Sequence, residues 1–260
     1  MRNEIQLRPS YWASVSGGKD SLYMLYVILN NLDKYPLDGV VHFELEIDYP
    51  FIKNVIDYME SECKKYGITF VRIRPRDSWY DLLKKYGMAT RQKRWCNKYK
   101  LDAKEQLKKF LRARGEKLVN YIGYCVDETY RYENRKNANV TEIYPLVQER
   151  VEESVILEWA KTQPIFNDYY KYNKRCGCMY CPMASMDNLT YLLKYYPENY
   201  NYFMRVCKES EQRYLTQFGK IYNIFQSKPK YNTDYIDNRV RTKYLPKLEA
   251  TNDSKTDIQY

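Results

Sequence analysis

The residues most able to do chemistry form a six-residue segment, Ser16-Gly17-Gly18-Lys19-Asp20-Ser21. The apolar residues 12–15 before it predict a short buried strand, and the apolar residues 22–29 after it predict a helix. Two adjacent glycines permit a sharp turn whose backbone N–H groups face an anion. The start of the helix favours negative charge at the same place, and Lys19 adds a full positive charge. The segment therefore predicts a phosphate-binding loop.

The spacing around Gly18 and Lys19 excludes the Walker loop, which needs Gly, four residues and then Gly-Lys-Ser/Thr. A pair of glycines between a strand and a helix is also compatible with an ordinary tight turn. The complete six-residue pattern in a strand–loop–helix context favours the phosphate-binding interpretation over the simple turn.

Composition sets broad limits on the class of protein. The 260 residues, 44% of them hydrophobic, suffice for one α/β domain with a small helical lobe, and they argue against general disorder. The apolar residues 22–29 are too few to span a bilayer, and residues 1–4 do not resemble a signal peptide. We therefore expect a cytoplasmic protein without a membrane partner, whose seven cysteines favour metal or catalytic roles over disulfides.

A formal net charge of +10 indicates an anionic partner such as ATP or a nucleic acid. The alternative is compositional bias, because the 30 tyrosines and many lysines and asparagines are also typical of an AT-rich genome. Charge alone does not decide between these two explanations.

Predicted strands and helices alternate along the first half of the chain, which indicates a doubly wound, mostly parallel α/β sheet. The predicted strands are residues 12–15, 40–45, 68–73, 118–125 and 144–147, and the helices between them are residues 22–29, 51–66, 78–86 and 98–114. We predict a nucleotide-binding domain over residues 1–150, a helical lobe with a cysteine motif over residues 151–230, and a flexible tail over residues 231–260.

Two further groups of charged residues follow predicted strands, at the edge where ligands of parallel sheets bind. Glu44, Glu46 and Asp48 are candidates for placing Mg²⁺ or ribose hydroxyls. Asp127 and Glu128, with Arg131 nearby, follow the strand over residues 118–125. A solvated acidic loop is an equally good explanation for any one of these carboxylates.

The basic segment of residues 91–100, which contains Trp95, is a candidate anion-binding rim. Such a run is more often a solvated face. Farther on, Cys176, Cys178 and Cys181 place three thiols within six residues, which suits a soft metal or a cluster.

Taken in order, these motifs resemble the phosphoadenosine phosphosulfate (PAPS) reductase family of the PP-loop adenine-nucleotide α-hydrolase superfamily, over roughly residues 10–185. Residues 16–21 match the pyrophosphate loop, and Cys96 with Lys100 is similar to the Cys-x-x-x-Lys segment. Residues 123–131, 144–147 and 175–182 are similar to later family segments.

In cluster-bearing members of the family, a cysteine pair and a later Cys-x-x-Cys hold a [4Fe-4S] cluster. The resemblance therefore implies that Cys96, Cys176, Cys178 and Cys181 ligate a [4Fe-4S] cluster with a shifted pattern. Tetrahedral Zn²⁺ on the same four thiols is the principal alternative, and an unliganded structural role is another. Cys63, Cys125 and Cys207 are interpreted as buried side chains.

Two departures from the family favour its ATP-using branch, which includes the sulfate adenylyltransferase small subunit, the DNA phosphorothioation enzyme and the PP-loop tRNA thiolases. Sulfonucleotide reductases carry a nucleophilic cysteine in a C-terminal tail, whereas no cysteine follows Cys207 here. Their loop also tends to lack the lysine, whereas Lys19 is present.

The resemblance thus implies an enzyme that cleaves ATP to AMP and pyrophosphate and activates an acceptor for sulfur transfer. Lys19, Asp20, Asp127 and Glu128 would act in catalysis with Mg²⁺, and Ser16, Gly17, Gly18, Ser21 and Arg131 would bind the nucleotide. The implied partners are tRNA or DNA and a sulfur donor such as a cysteine desulfurase, with the oligomeric state left open. One alternative is a sulfonucleotide reductase with a thioredoxin partner, and another is a non-catalytic redox regulator that binds nucleotides or nucleic acid.

Overall fold

Five strands form a single parallel sheet in a computed structural model that describes residues 7–133, 141–219, 223–225 and 231–253. The strands are β1 (Arg8–Val15), β2 (Gly39–Phe43), β3 (Thr69–Ile73), β4 (Glu116–Tyr121) and β5 (Thr141–Ile143). Their order across the sheet is β3-β2-β1-β4-β5, and every neighbouring pair is parallel. The prediction of a doubly wound parallel α/β fold is confirmed.

The helices predicted over residues 22–29, 51–66, 78–86 and 98–114 correspond to the first four helices of the structure, within three residues at each end. The helices are α1 (Lys19–Leu29), α2 (Pro50–Lys65), α3 (Trp79–Tyr86), α4 (Cys96–Ala113), α5 (Thr129–Tyr132), α6 (Pro145–Gln148), α7 (Glu153–Lys161), α8 (Tyr169–Tyr172), α9 (Met186–Tyr195), α10 (Pro197–Phe218), α11 (Thr233–Arg239) and α12 (Leu245–Asp253). Across the described ranges, none of these helices combines the length and apolar character needed to cross a bilayer.

The chain divides into two compact units, and neither is continuous in sequence. The first unit comprises Met1–Arg76 and Lys100–Asn167, and it contains the sheet. The second comprises Asp77–Tyr99 and Asp168–Tyr260, and its described elements are helical. The core of the second unit is largely aromatic, with side chains such as Trp79, Tyr169 and Phe203 fully buried.

Helices cover both faces of the sheet in the first unit. On one face, Leu107 and Leu111 of α4 pack against Trp12, Val41 and Leu118. On the other face, the Arg72 guanidinium pairs with carboxylates of α2, among them Asp57 at 2.7 Å. Helix α1 packs beside α2, α6 and α7. This two-sided cover leaves the ends of the strands as the open part of the sheet.

The strand predicted over residues 144–147 is wrong. The last strand is β5, which ends at Ile143, and Pro145 begins the short helix α6. Proline suits the first position of a helix because its fixed φ is helical and its missing N–H needs no partner there. The apolar residues after Pro145 therefore belong to a helical turn, with Leu146 fully buried.

Residues 233–253, which lie within the tail that the sequence predicts over residues 231–260, are helical. The Asn232 side chain caps α11 by accepting the N–H of Tyr235 at 3.0 Å. Ile236 and Val240 are fully buried on one face of this segment. The Glu211 carboxylate of α10 accepts the N–H of Thr233 at 3.0 Å, which attaches the segment to the second unit.

The contact between β1 and β2 gives a stability prediction. Gly39 pairs with Trp12, and a Cβ at Gly39 would lie 2.7 Å from ring carbon Cζ3 of Trp12. Because the ring is buried, we expect Gly39→Ala to lower the free energy of unfolding by about 1–3 kcal/mol in urea denaturation. In a Trp12→Leu background the same substitution should cost less than half as much, and an equal loss in both backgrounds would contradict the clash.

Candidate functional site

Two loops meet where the strand order reverses. From β1 the chain adds β2 and β3 on one side of the sheet, and then β4 and β5 on the other. Ligands of open parallel sheets bind in the crevice that forms at this point, outside the carboxyl ends of the strands. Residues 16–21 follow β1 and residues 122–131 follow β4, so both predicted segments lie at this reversal.

The loop of residues 16–21 is a tight turn held by its own hydroxyl groups. Gly17 has φ +74°, and a Cβ there would lie 2.8 Å from Cγ2 of Ile52. The Ser21 hydroxyl donates to the Gly18 carbonyl at 2.9 Å and accepts the Ser16 N–H at 3.2 Å. Only glycine fits at position 17, and Ser21 shapes the turn, while the hydroxyl of the exposed Ser16 accepts the Gly18 N–H at 3.4 Å.

Gly18 is the N-cap of α1, and no side chain caps the helix there. The N–H groups of a first helical turn have no acceptor four residues back, so they face outward together with the positive end of the helix dipole. The start of α1 therefore has the polarity that favours a negative charge, and anion binding by this loop stays a prediction.

Lys19 points into the protein, and its ammonium is held by two carboxylates. The residue is 3% exposed, and its Nζ lies 2.7 Å from Oδ1 of Asp20 and 2.8 Å from Oε1 of Glu153. Burial alone would lower the pKa of Lys19, but the charges and hydrogen bonds of Asp20 and Glu153 outweigh it and raise that pKa. Lys19 is therefore a permanent cation at the base of the loop.

Asp20 lies close to two other carboxylates as well as to Lys19. Burial raises its pKa, and the nearby carboxylates of Glu128 and Glu153 add to this, against the opposing effect of Lys19. The Cys125 Sγ lies 3.9 Å from Oδ1 of Asp20, and burial also raises the pKa of this thiol. The raised pKa favours the neutral thiol of Cys125, which donates to Asp20.

Gly123 brings the loop after β4 against the first turn of α1. A Cβ at this position would lie 2.9 Å from the carbonyl oxygen of Asp20 and 3.1 Å from its carbon, both backbone atoms that cannot yield. The approach of the two loops therefore depends on the absence of a side chain at Gly123.

The three predicted charged residues after β4 lie together but have different surroundings. Glu128 is 2% exposed, and it accepts the N–H of Cys125 at 3.3 Å and Nη1 of Arg131 at 2.9 Å. The Arg131 guanidinium also lies 4.2 Å from the ring centroid of Tyr124. Glu128 thus fixes the loop, whereas Asp127 is exposed and accepts the N–H of Glu153 at 3.3 Å.

Glu153 is the residue of this site that sequence reasoning missed. It begins α7, where an acidic side chain is the usual complement to the helix dipole. Its partner Lys19 lies 134 positions earlier. The sequence does show that a helix begins at Glu153, directly after the predicted strands and helices of the sheet. That position indicates the edge of the sheet, but it does not indicate that Glu153 pairs with Lys19.

The acidic residues after β2 are engaged locally. Glu44 forms a two-point ion pair with Arg74, with both N–O distances at 2.9 Å. Asp48 accepts the N–H of Leu45 at 3.1 Å, and burial raises its pKa to about 6. Glu46 is exposed. Glu44 and Asp48 thus have contacts that explain their positions without Mg²⁺ or ribose.

The four predicted thiol ligands all belong to the second unit, and none forms a disulfide. Cys96 is buried at the start of α4, whereas Cys176, Cys178 and Cys181 are half-buried. Within the ranges that the structure describes, no three histidine, cysteine, aspartate or glutamate side chains form a group that could hold a metal ion. Four thiols suit iron–sulfur or zinc chemically, but this structure does not assemble them into such a site.

Comparison with known proteins found no matching family model. The chain is similar to two uncharacterized proteins of Methanocaldococcus jannaschii. It is 28% identical to MJ0973 over 212 residues, covering 75% of this chain and 47% of that protein. It is 24% identical to MJ0066 over 226 residues, covering 80% of this chain and 44% of that protein. The chain therefore spans less than half the length of either relative.

Two solved structures show distant likeness. One is the U34-tRNA thiolase NcsA from Methanococcus maripaludis with its [4Fe-4S] cluster, at a TM-score of 0.46 and 18% identity, covering 84% of this chain and 76% of that one. The other is PAPS reductase from Candida auris in a phosphate complex, at a TM-score of 0.40 and 13% identity, covering 65% of this chain and 81% of that one. Likeness at this level assigns neither a family nor a function to the chain.

The buried carboxyl of Asp48 gives a pH prediction. Its pKa of about 6 lies above the ordinary value of 3.8, so its stabilising contribution is complete below about pH 4 and is lost as the pH rises through 6. Asp48→Asn keeps an acceptor for the N–H of Leu45. We expect its free energy of unfolding at pH 7 to exceed that of the wild type by about 2–3 kcal/mol. The difference should nearly vanish at pH 4.

Denaturant titrations between pH 4 and pH 7 measure this difference. Glu46→Gln is the matched control, because it removes an exposed carboxylate from the same loop and should show no comparable trend. A constant difference between Asp48→Asn and the wild type across this range would contradict the assignment.

Proposed function

We propose that this chain binds ATP at residues 16–21 and cleaves it between the α and β phosphates, adenylating an acceptor oxygen that sulfur then replaces. The observation that carries the proposal is the position of Lys19. Its ammonium is buried beneath a glycine turn, at the start of α1 and at the reversal of the strand order. A lysine cation, the N–H groups at the start of a helix and the helix dipole occur together in this loop, and this combination is suited to a polyphosphate.

The backbone at Gly17 and Gly18 would hold the two outer phosphates, with a phosphate oxygen replacing the Ser16 hydroxyl that accepts the Gly18 N–H at 3.4 Å. The exposed Ser16 hydroxyl would donate to a phosphate oxygen. Ser21 would support the turn from beneath through its bonds to Gly18 and Ser16. Arg131, held over the Tyr124 ring, would supply a second cation from the loop after β4.

Lys19 would stabilise the leaving group. In the proposed reaction the acceptor oxygen bonds to the α phosphorus, and the bond from that phosphorus to the bridging oxygen breaks. The electron pair leaves with pyrophosphate, whose negative charge grows near Lys19. Sulfide, released from a persulfide donor by a thiol reductant, would then attack the activated carbon. The carbon–sulfur bond forms as the carbon–oxygen bond breaks, and AMP leaves with that oxygen.

Asp20 and Glu153 would share a metal with the nucleotide, and the partial exposure of their side chains, 20% and 22%, supports this role. Mg²⁺ is usually held by one or two carboxylates together with substrate phosphates and water, which this pair of donors fits. When bound, Mg²⁺ would add positive charge beside the departing pyrophosphate. Lys19 would exchange one carboxylate for a phosphate oxygen, and its buried charge would stay neutralised.

An excess of positive charge supports a nucleic acid acceptor, as the net charge of +10 is far from neutral. The proposal therefore keeps tRNA or DNA as the acceptor and a cysteine desulfurase as one source of sulfur. No step of it passes through the predicted iron–sulfur cluster, because the four thiols are not assembled in this structure.

Removing the Lys19 ammonium tests the proposed reaction. We expect Lys19→Ala to slow ATP-dependent pyrophosphate release by about 100-fold or more, because a preorganised charge beside the leaving group is lost. The substitution also leaves two carboxylates without their cation. The double variant Lys19→Ala/Glu153→Gln should restore folding without restoring release.

The matched control is Lys53→Ala, which removes an exposed lysine paired with Asp57 on α2. Its pyrophosphate release should equal that of the wild type. Unchanged release by a folded Lys19 variant would contradict the proposal. Sulfite release from PAPS or adenosine phosphosulfate, with no pyrophosphate from ATP, would favour the reductase alternative.

Metal content tests the predicted thiol site separately. On the [4Fe-4S] prediction, protein purified without oxygen should contain iron and sulfide and absorb visible light, and Cys178→Ser/Cys181→Ser should lose both. Cys63→Ala, at a buried cysteine on α2, should retain them. Stoichiometric zinc without colour would support the zinc alternative, and protein with neither metal would contradict both.

A further inference from the structure

A cavity of about 560 Å³ lies in the second unit, between the basic segment after α3 and the end of α10. Four aromatic side chains line it, namely Tyr86, Trp95, Tyr214 and Phe218. Its volume is within the range of small-ligand pockets. The sequence singled out the basic segment as a rim for anions but gave no reason to associate it with α10.

Hydrogen bonds from polar atoms hold two of the four aromatic side chains, Trp95 and Tyr214, in place. Trp95 Nε1 donates to the Gly87 carbonyl at 3.1 Å, and the Tyr214 hydroxyl lies 2.9 Å from the Tyr86 carbonyl. The Tyr86 and Phe218 side chains are 46% and 53% exposed. The cavity therefore offers ring surface to a ligand, with two of the rings held in place.

Basic side chains complete the lining. Lys93, Arg94 and Lys98 face the cavity, and none of its described lining residues is acidic. The Lys93 ammonium lies 5.2 Å from the ring centroid of Phe218, and Arg94 donates to Asn97 at 3.0 Å. Cations placed among aromatic rings are suited to a ligand that has both a flat ring and a negative charge.

We propose that this cavity binds an unpaired base of a single-stranded RNA segment, with its flanking phosphates on Lys93, Arg94 and Lys98. A simple anion would not use the four rings, and an apolar ligand would strip water from three cations without pairing them. A duplex keeps its bases stacked inside. Unpaired bases that stack on aromatic side chains are the usual target of RNA recognition, which favours RNA over DNA.

This inference rests on the proposed function only in naming RNA as the class of acceptor. Binding to the cavity needs neither ATP nor pyrophosphate release, so the two proposals fail separately. Lys19→Ala should lose pyrophosphate release and keep RNA affinity. Variants of the cavity should lose RNA affinity, and wild-type protein that cleaves ATP but ignores RNA would overturn this inference alone.

The test is fluorescence anisotropy of the full chain with an end-labelled, unstructured RNA of roughly 12 nucleotides, a length within known single-strand site sizes. Each of Tyr86→Ala and Phe218→Ala, at exposed rings, should weaken binding about tenfold, the effect of losing one stacked base. In the triple variant Lys93→Gln/Arg94→Gln/Lys98→Gln, the slope of log K against log salt should be smaller in magnitude by about 2. Each lost phosphate contact accounts for roughly 0.7 of this change.

A matched control removes the same charge elsewhere. Lys109, Arg112 and Lys117 line a cavity of about 280 Å³ in the first unit that has no aromatic lining among its described residues. Lys109→Gln/Arg112→Gln/Lys117→Gln should leave affinity and salt dependence near those of the wild type. An equal loss in the control would show that net charge, rather than the cavity, binds the RNA.

Competition separates the other ligands. DNA of the same sequence and a fully paired RNA duplex should each compete at least tenfold more weakly than the single-stranded RNA. Equal competition by DNA would overturn the assignment to RNA, and stronger competition by the duplex would overturn an unpaired base. Unchanged affinity in Tyr86→Ala and Phe218→Ala, with thermal unfolding like the wild type, would overturn the cavity as the site.

Discussion

The buried ammonium of Lys19 constrains the rest of the first unit. A charge removed from water is tolerated only where opposite charges and hydrogen bonds replace the lost solvent, and removal of one partner from such a pair costs about 3–5 kcal/mol. Asp20 is the next residue, but Glu153 reaches Lys19 only because α7 packs beside α1. The ion pair therefore links the loop after β1 to a helix far along the chain.

Close backbone approach is the second constraint, and it depends on two glycines. Gly17 fits only because no Cβ meets Ile52, and Gly123 fits only because none meets the backbone of Asp20. The contact at Gly123 brings the loops after β1 and β4 together at the point where the strand order reverses, and the contact at Gly17 sets the first loop against α2. A substitution at Gly123 would push the two loops apart and move Asp20, so the ion pair of Lys19 depends on the fit of the loops.

Elements with a strong local signal were predictable from sequence, and pairings between distant residues were not. The strand–loop–helix unit around residues 12–29 has apolar runs and glycines that specify it locally, and the structure reproduces it. Residues 144–147 were predicted as a strand because apolar residues surround Pro145, but this proline begins α6, in which Leu146 is buried. Residues 233–253 lack long periodicity, yet Ile236 and Val240 bury one face against the second unit. Likewise, nothing near Glu153 indicates Lys19 as its partner.

The distribution of charge separates two kinds of recognition in this chain. Around Lys19 the side chains are two cations, Lys19 and Arg131, with the four carboxylates of Asp20, Asp127, Glu128 and Glu153, so this site has an excess of two carboxylates although the whole chain carries a net charge of +10. A polyphosphate there must be recognised through N–H groups and the helix dipole, with a metal to offset the carboxylates. The excess positive charge lies elsewhere, in places such as the cavity that contains Lys93 and Arg94, where aromatic rings accompany it. Backbone groups fix the position of a phosphate, whereas cations beside exposed rings favour a flexible polymer whose bases can stack, so the two sites suit different ligands.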